Sequence, residues 1–388
     1  MLREGSPGEV GMDPSRVQRA RDLLHAHVDS GHTPTLVALA ARRGVIVVKE
    51  AIGTRGPGLG PVQPDSIFAV ASTTKPVTAT LAMMLAEDGL LGINRPASDY
   101  LPELAAGDNA GVLVHHLLTH TSGFDDDVLE QLTTERVDKN QVPATPEGLH
   151  PWVHRDLSTR WDAPRSKEAG REMIYANHNY GLLAEIVRRL SGQPIDAFAR
   201  DRLFQPLGMN GSAYVLNERH RERLVHRAPE LPFGSPSDGF EQPEHPTYDS
   251  GASGLKTSAP DLAIFGQMFL NGGFYAGARI LSPAAVAAMI RNQIPGIPTN
   301  FLGWHAEAGY GYGWLVDTPD RWAYFHGSLQ PVGTVSHPGS GGTSFWFDPV
   351  NDIVGVVLEV VTAVSEQGEP VSHIFDRFQN VLYSALEA

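Results

Sequence analysis

Apolar and polar residues alternate with two different periods along the first part of the chain. Residues 13–27 have the spacing of an amphipathic helix that starts at Asp13-Pro14. Residues 35–41 and 45–51 are β-rich runs on either side of an Arg-Arg-Gly segment, which is typical of a hairpin. The pattern therefore predicts one helix followed by two paired strands.

Helical spacing dominates the middle of the chain. Residues 73–87 and 179–191 have strong helical patterns, which end at Gly89 and Gly192. Residues 125–171 are instead polar and lack a clear period, which predicts a long functional loop or a lid. Weaker helical patterns cover residues 99–104, 112–119, 261–270 and 283–291.

Strand patterns return near the C-terminus, at residues 313–316, 343–347 and 353–361, before a closing helix at 371–386. Strands at both ends with helices between them predict an α+β fold, an α/β sandwich whose antiparallel sheet is built from both termini and flanked by terminal helices. We expect residues 1–68 and 310–388 to form this α/β domain. Residues 69–309 are expected to form an inserted, mostly helical domain with long loops.

Composition narrows the class of protein. The 388 residues are 41% hydrophobic and include no cysteine, which excludes a disulfide scaffold, a Cys-ligated metal and a thiol nucleophile. The net charge is −14 and no run of Lys or Arg supplies a basic face, so we expect no nucleic-acid partner. The sequence shows neither a signal-peptide pattern nor a long apolar run, so we expect a cytoplasmic protein without a membrane partner.

A nucleophile is suggested by Ser-x-x-Lys, which occurs at Ser72–Lys75 and again at Ser253–Lys256. The first copy opens the strong helix, and Pro76 fits only in a first turn. Residues three apart then project from one helix face, so the serine hydroxyl and the lysine amine can form a hydrogen bond. The second copy lies between glycines and need not be helical.

Further candidates lie downstream of this pair. The helix dipole at the start of the helix lowers the pKa of Lys75 and favours a neutral base. Tyr175 and Asn177 precede an apolar helix, and the glycine-rich segment 337–343 precedes an apolar strand, where a backbone N–H can approach a substrate closely. Neither Gly-x-Ser-x-Gly nor His-Glu-x-x-His occurs.

Three segments together resemble, in this order, the motifs of the serine β-lactamase and penicillin-binding-protein family: Ser72-Thr73-Thr74-Lys75, Tyr175-Ala176-Asn177 and His337-Pro338-Gly339. Segments 117–123, 206–209 and 254–255 are also similar, so the resemblance spans most of the chain. It is closest to the class C-like branch, which includes family VIII carboxylesterases, D-aminopeptidases and D-alanyl-D-alanine carboxypeptidases.

The resemblance implies a β-lactamase/transpeptidase-like fold with the active site between the two domains. It implies that Ser72 attacks the acyl carbon and forms an acyl-enzyme, with Lys75 or Tyr175 as the general base. Tyr175 would also protonate the leaving group and activate water. The N–H groups of Ser72 and Ser340 would form the oxyanion hole, and the substrate-binding residues would be Asn177, His337 and Gly339.

The third motif departs from the β-lactamase pattern, because His337-Pro338-Gly339 stands where Lys-Thr-Gly is usual. A mostly neutral histidine and a proline without a hydroxyl offer little to a substrate carboxylate, so we expect weak or no β-lactamase activity. The function expected first is a carboxylesterase that acts on small-molecule acyl esters without a cofactor or metal. A D-stereospecific amidase or peptidase, or a β-lactamase, with the same residues is the alternative.

Two other classes stay open. His116 and His120 have the i,i+4 spacing of metal ligands and precede three aspartates, so a metal-dependent hydrolase is one. A catalytically silent binding protein on this fold is the other. Four aromatic residues are candidates to line an acyl pocket, namely Trp152, Trp161, Trp304 and Phe325.

Overall fold

A computed structural model describes residues 1–105, 107–145, 151–228, 250–299, 301, 306–320, 326–361, 372 and 374–387. Its strands are β1 (Arg3–Glu4), β2 (Thr35–Arg42), β3 (Val45–Gly53), β4 (Ile67–Ala69), β5 (Lys256–Ser258), β6 (Phe274–Tyr275), β7 (Ala278–Arg279), β8 (Pro298–Thr299), β9 (Ala306–Glu307), β10 (Leu315–Val316), β11 (Val335–Gly339), β12 (Thr343–Asp348) and β13 (Ile353–Glu359). Its α-helices are α1 (Pro14–Asp29), α2 (Thr74–Glu87), α3 (Val114–Leu118), α4 (Asp126–Asp138), α5 (Pro151–Ser158), α6 (Asn177–Ser191), α7 (Ile195–Ala199), α8 (Gln205–Leu207), α9 (Glu218–Arg221), α10 (Ala259–Leu270), α11 (Pro283–Ile290) and α12 (Phe375–Tyr383).

One seven-stranded sheet joins the two ends of the described chain, in the order β1-β3-β2-β13-β12-β11-β10. Its centre is the antiparallel pair of β2 and β13, which runs from Leu36 opposite Glu359 to Arg42 opposite Ile353. The predicted sheet built from both termini is therefore confirmed. The short edge strand β1 differs from the prediction, since it pairs parallel with β3; two residues carry no pattern from which this could be seen.

Both faces of the sheet are covered, so the fold has three layers. Alternate residues of a strand point to opposite faces. Along β2, Leu36 and Ala38 pack in a core that includes residues of α1 and α12, whereas Val37 and Leu39 belong to the main core with α10. Burial on both faces explains why β2 reads as a continuous apolar run. The α+β sandwich flanked by terminal helices is confirmed.

The helices that hold the candidate site form the rest of the main core. Helix α2 is buried along most of its length and packs against α6. Strands β4 and β5 pair in a two-stranded ribbon, in which β4 precedes α2 and β5 leads directly into α10. Helix α10 packs against the sheet although it falls inside the predicted insertion. The division into domains at residues 68 and 310 stays a prediction.

The region 125–171 differs most from expectation, because it contains α4 and α5 rather than only irregular chain. Asp125 caps α4 by accepting a hydrogen bond from the N–H of Asp127. The helix buries only Leu129 and Thr133, so its sequence has too weak an apolar stripe to be recognised. Among the described residues, no helix is long and apolar enough to cross a bilayer.

Candidate active site

Ser72 lies at a sharp turn between β4 and α2. It is the middle residue of a 3₁₀ turn, Ala71–Thr73, that leads directly into the helix. Ala71 before it has a φ of 45°, a left-handed backbone that is unfavourable for a residue with a Cβ. Ser72 is only half-buried, whereas its neighbours on both sides are buried. The strained turn thus presents one hydroxyl beside a cleft.

Lys75 lies behind this hydroxyl and is completely buried. Its Nζ donates to Ser72 Oγ at 3.1 Å, to Asn177 Oδ1 at 2.8 Å and to the Ala252 carbonyl at 3.2 Å. Burial lowers the pKa of Lys75 to about 7, and the negative charge of Asp126 partly opposes this shift. A substantial fraction of the amine is therefore neutral near pH 7 and able to accept a proton.

Tyr175 and Asn177 meet Ser72 and Lys75 at the N-terminus of α6. Lys75 Nζ lies 4.6 Å from the centre of the Tyr175 ring, and it donates to both Ser72 Oγ and Asn177 Oδ1. Burial raises the pKa of Tyr175 well above its usual value, so the phenol is protonated at neutral pH. The structure thus brings together Ser72, Lys75, Tyr175 and Asn177.

Asp126 belongs to the same site, although sequence reasoning considered it only as part of an acidic run. Its carboxylate accepts hydrogen bonds from the backbone N–H groups of Asn177 at 2.6 Å and His178 at 3.2 Å. It therefore caps α6 from a separate helix and holds Asn177 against Lys75. No local signal reveals this contact, because Asp126 and Asn177 are 51 residues apart.

The third motif packs directly on the turn that carries Ser72. Thr73 Oγ1 donates to the His337 carbonyl at 3.3 Å, and Thr343 Oγ1 donates to the Val70 carbonyl at 3.2 Å. A Cβ on Gly339 would lie 2.1 Å from the Val70 carbonyl oxygen, so glycine alone permits this approach. Ser340 follows at the cleft, where it lines the same cavity as Ser72.

His337 lies behind the cleft with its side chain buried. Its Nδ1 donates to the Pro338 carbonyl at 2.7 Å, which leaves Nε2 to accept from the Tyr310 hydroxyl at 3.3 Å. Burial lowers the pKa of His337 to about 3, so the ring is neutral. Its role in substrate binding stays a prediction.

The cleft in front of Ser72 has a volume of about 410 Å³. Its lining includes charged side chains, and the acidic ones outnumber the basic one, Arg160. Arg160 is paired with Glu130 at 2.9 Å and lies 3.7 Å from Asp156. The negative charge beyond these contacts comes from Asp126 and Asp127. The cleft therefore carries an excess of negative charge.

The other sequence candidates make contacts that differ from those of Ser72 and Lys75. Lys256 Nζ donates to the carbonyls of Tyr214 and Gly254, so the second Ser-x-x-Lys segment does not repeat the first pair. His116 Nδ1 accepts the N–H of Leu113, and His120 Nδ1 accepts the N–H of Ala176. The described residues contain no cluster of three His, Asp or Glu that could hold a metal ion.

The aromatic candidates for an acyl pocket are only partly described. Trp161 packs against the main core, and Arg189 lies over its ring at 5.9 Å. Trp304, Phe325 and the side chain of Trp152 lie outside the described residues.

A serine hydroxyl beside a buried lysine amine and a tyrosine is the arrangement of a serine acyl hydrolase. The sequence profile of the Beta-lactamase family matches residues 20–366. The chain therefore belongs to the Beta-lactamase family and is a serine hydrolase of that family.

Individual relatives span most of the chain. Esterase EstB of Burkholderia gladioli is 29% identical over 92% of this chain and 95% of its own. Penicillin-binding protein 4 of Amycolatopsis lactamdurans is 31% identical over 84% of this chain and 79% of its own. Among solved structures, EstCE1, described as a hydrolase with promiscuous acyltransferase activity, has a TM-score of 0.75 at 21% identity and covers 97% of this chain and 99% of its own.

Proposed function

We propose that this protein is a carboxylesterase that hydrolyses small acyl esters through an acyl-enzyme on Ser72. The observation that carries the proposal is the hydrogen bond from buried Lys75 to Ser72 Oγ, with the pKa of Lys75 lowered to about 7. A neutral amine at this distance is a competent base for a serine hydroxyl. Similarity to an esterase from Burkholderia gladioli supports the choice of ester substrates.

Lys75 is the general base of acylation in this proposal. Lys75 accepts the Ser72 proton while Oγ bonds to the acyl carbon, and the carbonyl oxygen becomes an oxyanion. The N–H groups of Ser72 and Ser340 stabilise that oxyanion. The alternative base, a Tyr175 phenolate, is disfavoured because burial raises the pKa of Tyr175 well above its usual value.

Tyr175 transfers the proton that the leaving group needs. The phenol donates to the leaving oxygen as the ester C–O bond breaks, and the Lys75 ammonium beside it returns the proton that was taken from Ser72. Deacylation reverses this relay. Water loses a proton through Tyr175 to Lys75 and attacks the acyl carbon, and Ser72 leaves as the protonated hydroxyl. Asn177 keeps the amine in place through its Oδ1, 2.8 Å from Nζ.

The charges of the cleft favour neutral substrates over β-lactams. A β-lactam presents a carboxylate, and the third motif offers a neutral, buried His337 in place of a lysine. Asp126 and Asp127 add negative charge to the lining of the cleft. Weak or absent β-lactamase activity is therefore part of the proposal.

Hydrolysis of p-nitrophenyl butyrate by the purified protein and by Ser72→Ala tests the proposal. We expect turnover in the wild type and a loss of at least about 1,000-fold in Ser72→Ala. Ser253→Ala is the matched control, since it replaces the serine of the second Ser-x-x-Lys segment at the edge of the same cleft. Retention of full activity in Ser72→Ala would refute the proposal.

A D-stereospecific amidase or peptidase is the second candidate, supported by the 31% identity to a penicillin-binding protein. Both activities use the same acyl-enzyme, and they differ in the leaving group. Comparison of kcat/KM for an ester and an amide of the same D-alanyl group decides between them. Faster turnover of the amide than of the ester would favour this candidate.

A further inference from the structure

His120 is buried directly beneath the candidate general acid. Its ring stacks on that of Tyr175, with centroids 4.3 Å apart and planes inclined by 28°. Its Nδ1 accepts the backbone N–H of Ala176 at 3.1 Å, and Asn179 Nδ2 lies 3.3 Å away. The His120 carbonyl also accepts the N–H of Ile174 at 2.9 Å. One residue thus contacts the backbone on both sides of Tyr175 and the face of its ring.

Two unfavourable features of His120 indicate that the position is constrained. Its φ is 57°, in the left-handed region that costs free energy for most side chains. Since Nδ1 accepts a hydrogen bond, the proton of the neutral ring is on Nε2, and this buried atom has no hydrogen-bond partner among the described residues. A residue that served packing alone would need neither the left-handed backbone nor a buried Nε2 without a hydrogen-bond partner.

The charge state of His120 fits a positioning role. Burial, together with the nearby charge of Lys75, keeps the pKa of His120 well below its usual value. The neutral ring can accept the Ala176 N–H, which an imidazolium could not. It also adds no positive charge beside Lys75, whose amine must be neutral to act as a base.

We infer that His120 is a positioning residue that aligns the Tyr175 hydroxyl for proton transfer to the leaving group. The inference rests on the proposed function, because it assumes that Tyr175 is the proton donor. It predicts a selective defect in acylation: loss of alignment slows acylation by esters whose leaving group needs a proton and spares acylation by esters whose leaving group departs as a stable anion. A defect of packing alone would slow both.

Two substitutions separate the side chain from the backbone. Glycine and asparagine both tolerate the left-handed conformation, so neither adds strain there. His120→Gly removes the ring and the acceptor, whereas His120→Asn restores an acceptor close to the position of Nδ1. The substrates are ethyl butyrate and p-nitrophenyl butyrate, which share the acyl group and differ in whether the leaving oxygen needs a proton.

We expect His120→Gly to lower kcat/KM, which reports acylation, for ethyl butyrate by about 100-fold and for p-nitrophenyl butyrate by less than about 10-fold, since general acid catalysis contributes on the order of 100-fold or more. The two esters form the same butyryl-enzyme, so deacylation does not enter this comparison. His120→Asn should recover about 10-fold in kcat/KM on ethyl butyrate. An equal decrease of kcat/KM for the two esters in either folded variant would overturn the inference. So would the absence of a decrease for both esters. If His120→Gly does not fold, the comparison of His120→Asn with the wild type still tests the inference. We then expect a larger loss of kcat/KM on ethyl butyrate than on p-nitrophenyl butyrate.

The failure of this inference is distinguishable from failure of the proposed function. Ser72→Ala is assayed beside the His120 variants on the same two esters. Loss of activity in Ser72→Ala with equal effects in the His120 variants contradicts the role of His120 alone. Activity that survives in Ser72→Ala contradicts the proposed function and the inference with it.

Discussion

Lys75 Nζ lies 3.1 Å from Ser72 Oγ, although Ser72 belongs to a 3₁₀ turn and Lys75 to the α-helix that follows. The two residues are therefore brought together by local chain geometry, and no distant segment is needed for this contact. Distant segments instead hold the Lys75 amine in place and bury it. Asn177 and the Ala252 carbonyl accept its other hydrogens, and burial lowers its pKa to about 7.

The pH dependence of kcat/KM should follow the ionisation of Lys75. Because the neutral amine is the base, activity should rise with pH along an acid limb with a midpoint near pH 7. Asp126→Asn removes a charge that raises the pKa of Lys75, so the midpoint should move to lower pH by about 0.5 units. Asp22→Asn, on α1, is the control. A midpoint that stays fixed or moves upward in Asp126→Asn would contradict this role for Asp126.

Lys75 should also impose a pH dependence on stability. Its pKa in the folded protein is about 7, below the ordinary value of 10.5, so the unfolded chain binds more protons between these values. Stability should therefore rise with pH above about pH 7. The Tm of the wild type minus that of Lys75→Met should increase by roughly 3–5 °C between pH 7 and about pH 9.5. A constant or decreasing difference would show that the lysine is not buried with a lowered pKa.

Gly339→Ala should separate the third motif from the turn that carries Ser72. The new Cβ would lie 2.1 Å from the Val70 carbonyl oxygen and 2.2 Å from Thr343 Oγ1, so β11 must shift. We expect a loss of about 1–3 kcal/mol in the free energy of unfolding and a large loss of kcat. Gly8→Ala, where an added Cβ meets no atom within 4 Å, is the matched control. Equal effects of the two substitutions in chemical denaturation would contradict the packing described.

How far the site could be predicted depends on whether its contacts are local. Ser72 and Lys75 follow from the helix pattern and the motif spacing, whereas the roles of Tyr175 and Asn177 follow from the resemblance to a family motif. Asp126 could not be recognised, because its contact with Asn177 joins two helices distant in sequence. The hydroxyl and carbonyl contacts around Thr73 are likewise tertiary, and no spacing predicts them.

The same distinction applies to the fold. The central strands β2, β3 and β13 are long and apolar, so their periods are clear, and the amphipathic or apolar helices α1, α2 and α6 are equally clear. Helix α4 has few buried residues and a capping aspartate as its main stabilising feature, so its pattern resembles that of a loop. Strand β1 exists only through its pairing with β3.

The charge of the cleft should determine which esters are accepted. Asp127 is exposed on the cleft wall, and its removal reduces the negative charge that a substrate meets. Asp127→Asn should raise kcat/KM for a monoester of succinate about 2- to 5-fold relative to a neutral butyrate ester, and added salt should reduce this difference. The Asp22→Asn control should leave the ratio unchanged. A ratio that does not respond to Asp127→Asn would show that the wall charge does not influence substrate choice.

The most direct test of the central claim is to label the nucleophile covalently and locate the modified residue. The protein is incubated with a fluorophosphonate, digested and sequenced by tandem mass spectrometry, with Lys75→Met as a variant that retains Ser72 but lacks the base. We predict one modified residue, Ser72, with labelling slowed by at least about 100-fold in Lys75→Met. Modification of a different serine, or equally fast labelling of Ser72 without the Lys75 amine, would contradict the claim that this pair carries the chemistry.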